Sequence, residues 1–107
     1  MVAPEMVERK DGAILLISSI GGLRGNALIG AYNISKAADF QLARNLAHEF
    51  GPDNVRVNCI APGLIKTDFA RAMWEDPATL ERATKGVPLR RIGEPDELAG
   101  AAVYLAS

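Results

Sequence analysis

Three side chains of types that handle protons and hydroxyl oxygens stand close together in this sequence: Ser19, Tyr32 and Lys36. Tyr32 and Lys36 are four positions apart, a spacing that puts both on one face of a helix, one turn from each other. A free phenol has a pKa of about 10 and is a poor acid or base at neutrality. An ammonium held beside it favours the phenolate, and a phenol so placed can exchange a proton with an alcohol–carbonyl pair. Ser19 ends an apolar run that reads as a strand. Its hydroxyl can therefore stand above the sheet edge and hydrogen-bond a substrate oxygen as charge develops there. A Tyr-x-x-x-Lys pair alone is common on helices, where it is a solvated lysine beside a half-buried tyrosine. Here the pair opens a helix that follows a buried strand and a Ser/Gly loop, the place where open α/β sheets hold their ligands.

The elements that must position these residues follow from the pattern around them. Met1 to Lys10 reads as the last turns of a helix, with Arg9 and Lys10 where cations favour a helix C-terminus. After the Asp11-Gly12 turn, Ala13 to Ile17 is an unbroken apolar run, as expected of a strand buried on both faces in a parallel sheet. Ser18 to Gly30 is a loop of Ser, Gly and Asn. From Ala31 to Phe50 there is no Gly or Pro, and Ala38, Leu42, Leu46 and Phe50 recur every four residues. Ala31, Ile34, Ala43 and Ala47 widen that stripe, which predicts a long helix. Gly51-Pro52 stops it. Val55 to Ile60 is a second strand, so the whole is a βαβ unit with a right-handed crossover. Thr67–Trp74 and Pro77–Lys85 read as two short helices, followed by a loop from Gly86 to Gly93. A last helix opens at Glu94-Pro95-Asp96-Glu97, with proline at its first position and carboxylates against the helix dipole. Leu98, Ala101, Ala102 and Leu105 form its apolar stripe. The class is α/β.

Composition narrows the setting. The 107 residues are 49% hydrophobic and 23% charged, ordinary globular usage that argues against disorder. Twelve basic against thirteen acidic side chains give a net charge of −1, which supplies no attraction to nucleic acid or to an anionic membrane. The longest apolar run is far too short to span a bilayer, and the first residues carry no apolar signal core. A cytoplasmic protein is expected. Cys59 is the one cysteine and cannot form an internal disulfide; inside a strand it reads as a small buried hydrophobe. His48 has no partner at metal spacing, so no metal site is expected. Lys66-Thr67 lacks the glycine that a phosphate loop needs before its lysine. Asn33-Ile34-Ser35 matches a glycosylation sequon without a secretion signal, and Arg90-Arg91 reads as a solvated loop pair.

Three segments carry a resemblance: Ile17-Ser18-Ser19-Ile20-Gly21-Gly22, Tyr32-Asn33-Ile34-Ser35-Lys36-Ala37-Ala38, and the run from Arg56 through Asn58-Cys59-Ile60-Ala61-Pro62-Gly63 to Thr67. In this order they resemble the short, non-extended branch of the short-chain dehydrogenase/reductase family, from about Gly12 to Ser107. The stretch from Arg56 to Asp76 is most similar to carbonyl-reductase-type members. The resemblance implies part of a Rossmann-like doubly wound parallel sheet and an NAD- or NADP-dependent oxidoreductase that interconverts a secondary alcohol and a carbonyl. It implies Tyr32 as acid/base and as a cofactor contact, Lys36 as the residue that favours its phenolate and holds the nicotinamide ribose, and Ser19 as the residue that orients the substrate oxygen. It places Pro62, Gly63 and Ile65 at the nicotinamide and the Thr67 hydroxyl at its carboxamide or phosphates. Residues 62–93 become the substrate-binding segment, with Phe69, Met73 and Trp74 at the pocket or lid. The partners implied are a small alcohol or carbonyl compound and a second copy of the chain, in a homodimer or homotetramer joined through helix 31–50.

The sequence also departs from the family's pattern. It has no Thr-Gly-x-x-x-Gly-x-Gly turn; Gly22-Leu-Arg-Gly25 lacks the spacing. The Asn-Asn-Ala-Gly segment and the residues that choose between the two nicotinamide cofactors are absent as well. Residues 1–107 are therefore expected to be a single partial domain, the catalytic and later part of a longer enzyme, inactive as given. One alternative is a truncated paralogue that pairs with full-length relatives through its long helix. Another is an extended-branch sugar-nucleotide epimerase or dehydratase, disfavoured because Pro62-Gly63 follows Asn58 where that branch carries Asn-x-Tyr-Gly-Pro.

Overall fold

The apolar run after Asp11 forms β1 (Gly12–Ile17), and the alternating run after Asn54 forms β2 (Val55–Ile60). A computed structural model describes residues 2–107. The two strands pair in parallel with no slip, from Gly12 opposite Val55 to Ile17 opposite Ile60. Between them runs the crossover helix, α2 (Gly30–Phe50), and α1 (Val2–Arg9) precedes β1. The expected βαβ unit is present. Gly51 ends α2 in a right-handed conformation, and the chain turns instead at Asn54, whose φ is 60°. Asparagine tolerates that left-handed position, and its Nδ2 donates to the Lys10 carbonyl at 2.9 Å, tying together the starts of the two strands.

The described residues divide into two compact units, one reaching to Pro62 and taking in Ala101–Ser107, the other Gly63–Gly100. In the first unit, burial on α2 follows the Ala38–Leu42–Leu46–Phe50 line only at Leu46 and Phe50. Asn33 and Ala43 are buried and Lys36, Phe40, Ala47 and Phe50 are half-buried, whereas Ala38 is exposed and Leu42 is 46% exposed. Small residues at 43 and 47 let the helix approach the sheet closely, so the side carrying them turns inward, while Ile34, Ala38 and Leu42 stay outside. The expected two-sided burial of β1 is not met either. Its residues are half-buried, and Ile17 is exposed. Each strand of a two-stranded sheet has one free edge, and α2 lies chiefly against β2. Ala43 and Val55 are the fully buried apolar residues among those described. The Arg56 guanidinium donates to the carbonyls of Leu105 and Ser107, both at 2.8 Å, and so satisfies orphan acceptors at the end of α5 (Ala99–Ala106).

The second unit is closed on itself by a parallel bridge between Ile65 and Gly93. Lys66 N donates to the Gly93 carbonyl at 2.8 Å and Gly93 N to the Leu64 carbonyl at 3.0 Å. A Cβ at Gly93 would stand 2.7 Å from Ile65 Cδ1, so a side chain there would push the end of the Ile65 side chain aside. Between the bridge partners lie α3 (Arg71–Trp74) and α4 (Pro77–Thr84). The helix expected from Thr67 begins only at Arg71. Before it the chain turns, with Ala70 N donating to the Thr67 carbonyl at 3.1 Å and to Thr67 Oγ1 at 3.3 Å. Asp76 caps α4 by accepting from Thr79 N at 2.8 Å, and the Thr79 side chain, followed by that backbone N–H, holds its carboxyl below the usual range. A 3-10 turn, Pro95–Leu98, leads into α5. No helix among the described residues is long and apolar enough to cross a membrane.

Arg91 corrects one expectation. It is not a merely solvated arginine, because its guanidinium donates to both carboxylate oxygens of Glu97. Glu97 Oε2 also accepts from Glu94 N at 2.8 Å. The Arg91 pairing, helped by that backbone donor, draws the Glu97 carboxyl from 4.5 down to about 2. A carboxyl whose folded value is depressed contributes stability that is complete above its unfolded value and is lost as pH falls through the folded one. The Glu97 contribution is thus full above 4.5 and disappears toward about 2. A carboxyl-carbon NMR titration should give a Glu97 midpoint near 2, moving up toward 4.5 in Arg91→Ala; a midpoint of 4.5 in the parent protein would contradict the pairing.

Candidate active site

Four polar contacts fix the turn that carries Ser19. Ser18 N donates to the Ile60 carbonyl at 2.8 Å, extending the strand ladder one step beyond β1. Ser18 Oγ, on a residue 5% exposed, donates to the Lys36 carbonyl at 2.6 Å. Ile20 N donates to the Pro62 carbonyl at 3.0 Å, which links the turn to the end of β2. Ser19 has extended backbone and caps the 3-10 turn Ile20–Leu23, its Oγ accepting from Gly21 N at 3.0 Å. That bond occupies one lone pair and leaves the hydroxyl proton to point elsewhere.

Two glycines let this turn lie directly on α2. A Cβ at Gly22 would stand 2.6 Å from the Lys36 carbonyl carbon, 2.8 Å from Ala37 N and 2.7 Å from the Phe40 ring. A Cβ at Gly21 would stand 2.7 Å from Asn33 Oδ1, 3.3 Å from Ser19 Oγ and 3.4 Å from Tyr32 Cε1. Side chains from the turn and from the helix therefore surround one glycine, and the fold brings Ser19 and Tyr32 to the same place.

Lys36 completes the set. Its Nζ lies 5.8 Å from the centroid of the half-buried Tyr32 ring. The same Nζ donates to the Ile17 carbonyl at 3.0 Å and pairs with Asp39 at 3.4 Å, with a quarter of the side chain exposed. The expected one-turn spacing of phenol and ammonium is realised, and the ammonium is anchored to the end of β1. Cys59, opposite Leu16 in the register, is half-buried, and burial pushes its thiol up despite a hydrogen bond with the Ser18 backbone. A thiol so shifted is a weak nucleophile.

Sequence reasoning passed over Ser18, Asn33 and Asp39. Their signals were a serine doublet at the end of a strand, an asparagine in the first turn of a helix beside the tyrosine, and an acid three residues after the lysine. Asn33 is 8% exposed; its Nδ2 donates to the Arg24 carbonyl at 3.2 Å while its Oδ1 has no partner. An unpaired buried acceptor costs about 1–3 kcal/mol.

The remaining site residues sit as follows. Pro62 supplies its carbonyl to Ile20 in the first unit. In the second, Gly63 is exposed and Ile65 takes part in the bridge to Gly93. The Thr67 carbonyl accepts from Trp74 Nε1 at 2.9 Å, and Lys66 Nζ lies 5.7 Å from the Trp74 ring. This lysine also pairs with Glu94 at 3.7 Å. Phe69 is 84% and Met73 44% exposed.

Known proteins resemble this chain over nearly its whole length. The family described as enoyl-(acyl carrier protein) reductase matches residues 1–107. Dehydrogenase/reductase SDR family member 4 of Bos taurus is 47% identical over 106 residues, covering 99% of this chain and 38% of that protein. The chain thus spans about two fifths of the length of the curated relatives it matches. Among solved structures, a 7α-hydroxysteroid dehydrogenase complexed with NADH and 7-oxo glycochenodeoxycholic acid is 40% identical with a TM-score of 0.92, over 99% of this chain and 41% of that one. A gluconate 5-dehydrogenase from Burkholderia cenocepacia, in complex with NADP and tartrate, is 33% identical with a TM-score of 0.95, over 99% and 42%. The fold is of the Rossmann-like α/β kind. The chain belongs to the short-chain dehydrogenase/reductase family of oxidoreductases.

The contact of Gly22 with the α2 backbone yields a direct test. Gly22→Ala forces the Ser19 turn away from Lys36 and should cost about 1–3 kcal/mol, the usual cost of overpacking. A urea titration should show the loss as a lower midpoint; an unchanged midpoint would mean that the turn and helix can separate freely.

Proposed function

We propose that this chain carries the acid–base site of an NAD- or NADP-dependent oxidoreductase acting on a secondary alcohol and its carbonyl. The observation that carries the reading is the gathering of Ser19 and Tyr32 around Gly21, with the Lys36 ammonium one helical turn from the phenol. NADH accompanies the hydroxysteroid dehydrogenase and NADP the gluconate 5-dehydrogenase. The donor set of α2 fits the ribose end of such a cofactor. An ammonium has three donors, and those of Lys36 that are engaged go to Ile17 and Asp39, leaving one for a ribose hydroxyl.

When bound, the nicotinamide supplies or accepts the hydride. The protein's own residues manage the oxygen. In reduction, the Tyr32 phenol gives its proton to the oxygen that becomes the alcohol; in oxidation it takes that proton back. Ser19 donates a hydrogen bond to the same oxygen, and the Gly21 N–H on its Oγ strengthens that donation by polarising the hydroxyl. Lys36 places a positive charge where it stabilises the negative charge left when the phenol gives up its proton. The motif-based assignments belong to the same proposal: Pro62, Gly63, Ile65 and Thr67 toward the nicotinamide end of the cofactor, and Phe69, Met73 and Trp74 toward the substrate.

The proposal includes a second copy of the chain. Ile34 is 73% and Leu42 46% exposed on α2, with exposed Ala38 between them at the same spacing. A line of apolar residues on the outer side of a long helix is the kind of surface that a homodimer or homotetramer covers.

Two measurements test these statements. Tyr32→Phe should lower kcat by roughly 100-fold or more, the usual worth of a positioned acid/base. Full activity in that variant would remove Tyr32 from the chemistry. Leu42→Arg should reduce the mass seen in sedimentation equilibrium, and a parent protein that already sediments as a monomer would refute the oligomer.

A further inference from the structure

Asn33 Oδ1 is the buried side-chain polar atom that finds no hydrogen-bond partner among the described residues, and the acid–base reading gives its side chain no task. The side chain is nonetheless held. Its Nδ2 donates to the Arg24 carbonyl at 3.2 Å, just beyond the far end of the 3-10 turn. Its Oδ1 lies against the near end, 2.7 Å from where a Cβ on Gly21 would stand, a point only 3.3 Å from Ser19 Oγ and 3.4 Å from Tyr32 Cε1. Asn33 follows Tyr32 directly on α2, and its backbone N–H donates to the Ile29 carbonyl at 3.0 Å. One side chain thus spans the turn that carries Ser19 from the helix that carries Tyr32. A leucine of similar shape would remove the unpaired acceptor but also the tie.

We propose that Asn33 is a positioning residue for Ser19, its side chain holding the Ser19 turn at the distance from Tyr32 that lets both meet one substrate oxygen, with Gly21 supplying the gap in which it fits. This inference rests on the acid–base reading of Ser19 and Tyr32. In that reading the hydroxyl must be aimed as well as present, because a small misplacement costs rate far more than binding. Asn33 reaches both ends of the turn from the position next to the phenol. A residue that acts through Ser19 has no further effect once the hydroxyl is gone.

The test uses the enzyme as its source cell makes it, with kcat and KM measured for Ser19→Ala, Asn33→Ala, the double variant and Tyr32→Phe. Asn33→Ala should lower kcat roughly tenfold with the KM for cofactor within about twofold, and the double variant should be no slower than Ser19→Ala alone. A kcat for Asn33→Ala within about twofold of the parent, or losses that multiply in the double variant, would overturn the inference. If Ser19→Ala and Tyr32→Phe both keep full activity, the acid–base reading falls and this inference with it. If both lose activity while Asn33→Ala does not, only this inference falls. Should Asn33→Ala fail to fold, Gly21→Ala probes the same contact from the other side. Its added methyl displaces Oδ1, so it should lower kcat in the parent and add nothing in the Ser19→Ala background; an unchanged kcat for Gly21→Ala in the parent also refutes the proposal.

Discussion

The site depends on a reciprocal exchange of hydrogen bonds between the end of β1 and one residue of α2. Ser18 Oγ donates to the Lys36 carbonyl, and Lys36 Nζ donates back to the Ile17 carbonyl. The first bond requires the helix to pass beside the strand end at Lys36. The second uses the charged end of the same residue to satisfy a carbonyl that the ladder leaves behind. Once Lys36 is fixed in this way, Tyr32 is fixed too, because a helix allows no freedom between residues four apart. Ser19 is fixed from the other direction, since it adjoins Ser18 and its turn accepts support from Pro62. Strand pairing thus determines where the phenol, the ammonium and the hydroxyl stand.

That exchange works only if the turn and helix approach to backbone contact, which explains the glycine pair. At Gly22 any side chain would meet the α2 backbone, and at Gly21 it would meet the site's own side chains. Neither glycine has a positive φ. Their value is the missing Cβ, not conformational freedom. The left-handed positions of this chain fall instead on Lys10, Asn54 and Arg90, in segments outside the Ser19 turn.

Much of this was legible in the sequence because the signals were local. The apolar run before Ser18, the uninterrupted span after Gly30 and the alternation from Val55 each specify an element within a residue or so of its observed ends. The tyrosine–lysine spacing specifies a shared helical face without any tertiary knowledge. What could not be read is directional. Leu42 and Ala43 are both apolar, and only contact with the strands decides that the smaller one turns inward. Thr67–Ala70 has helical composition, yet the Thr67 hydroxyl and carbonyl draw the chain into a turn. Arg91 and Glu97 are separated by more than a helical turn, so their bidentate pair appears only when the intervening 3-10 turn folds them together.

The balance of forces follows from the burial. Among the described residues, Ala43 and Val55 are the buried apolar ones, while Ser18, Asn33 and Thr84 are buried and polar. Hydrophobic burial is non-directional and sets approximate proximity, but a misplacement of about 1 Å can cost a reaction about 100-fold in rate. Directional bonds supply that placement, and Ser18 and Asn33 form theirs where α2 meets the Ser19 turn. Thr84 satisfies its hydroxyl within its own helix and so contributes to α4 alone. The two buried polar side chains beside the site differ in kind from the third: they connect elements that the backbone does not connect there. Two of the three buried polar side chains among the described residues thus stand where α2 meets the Ser19 turn, the place where the proposed chemistry would aim a hydroxyl and a phenol at one oxygen.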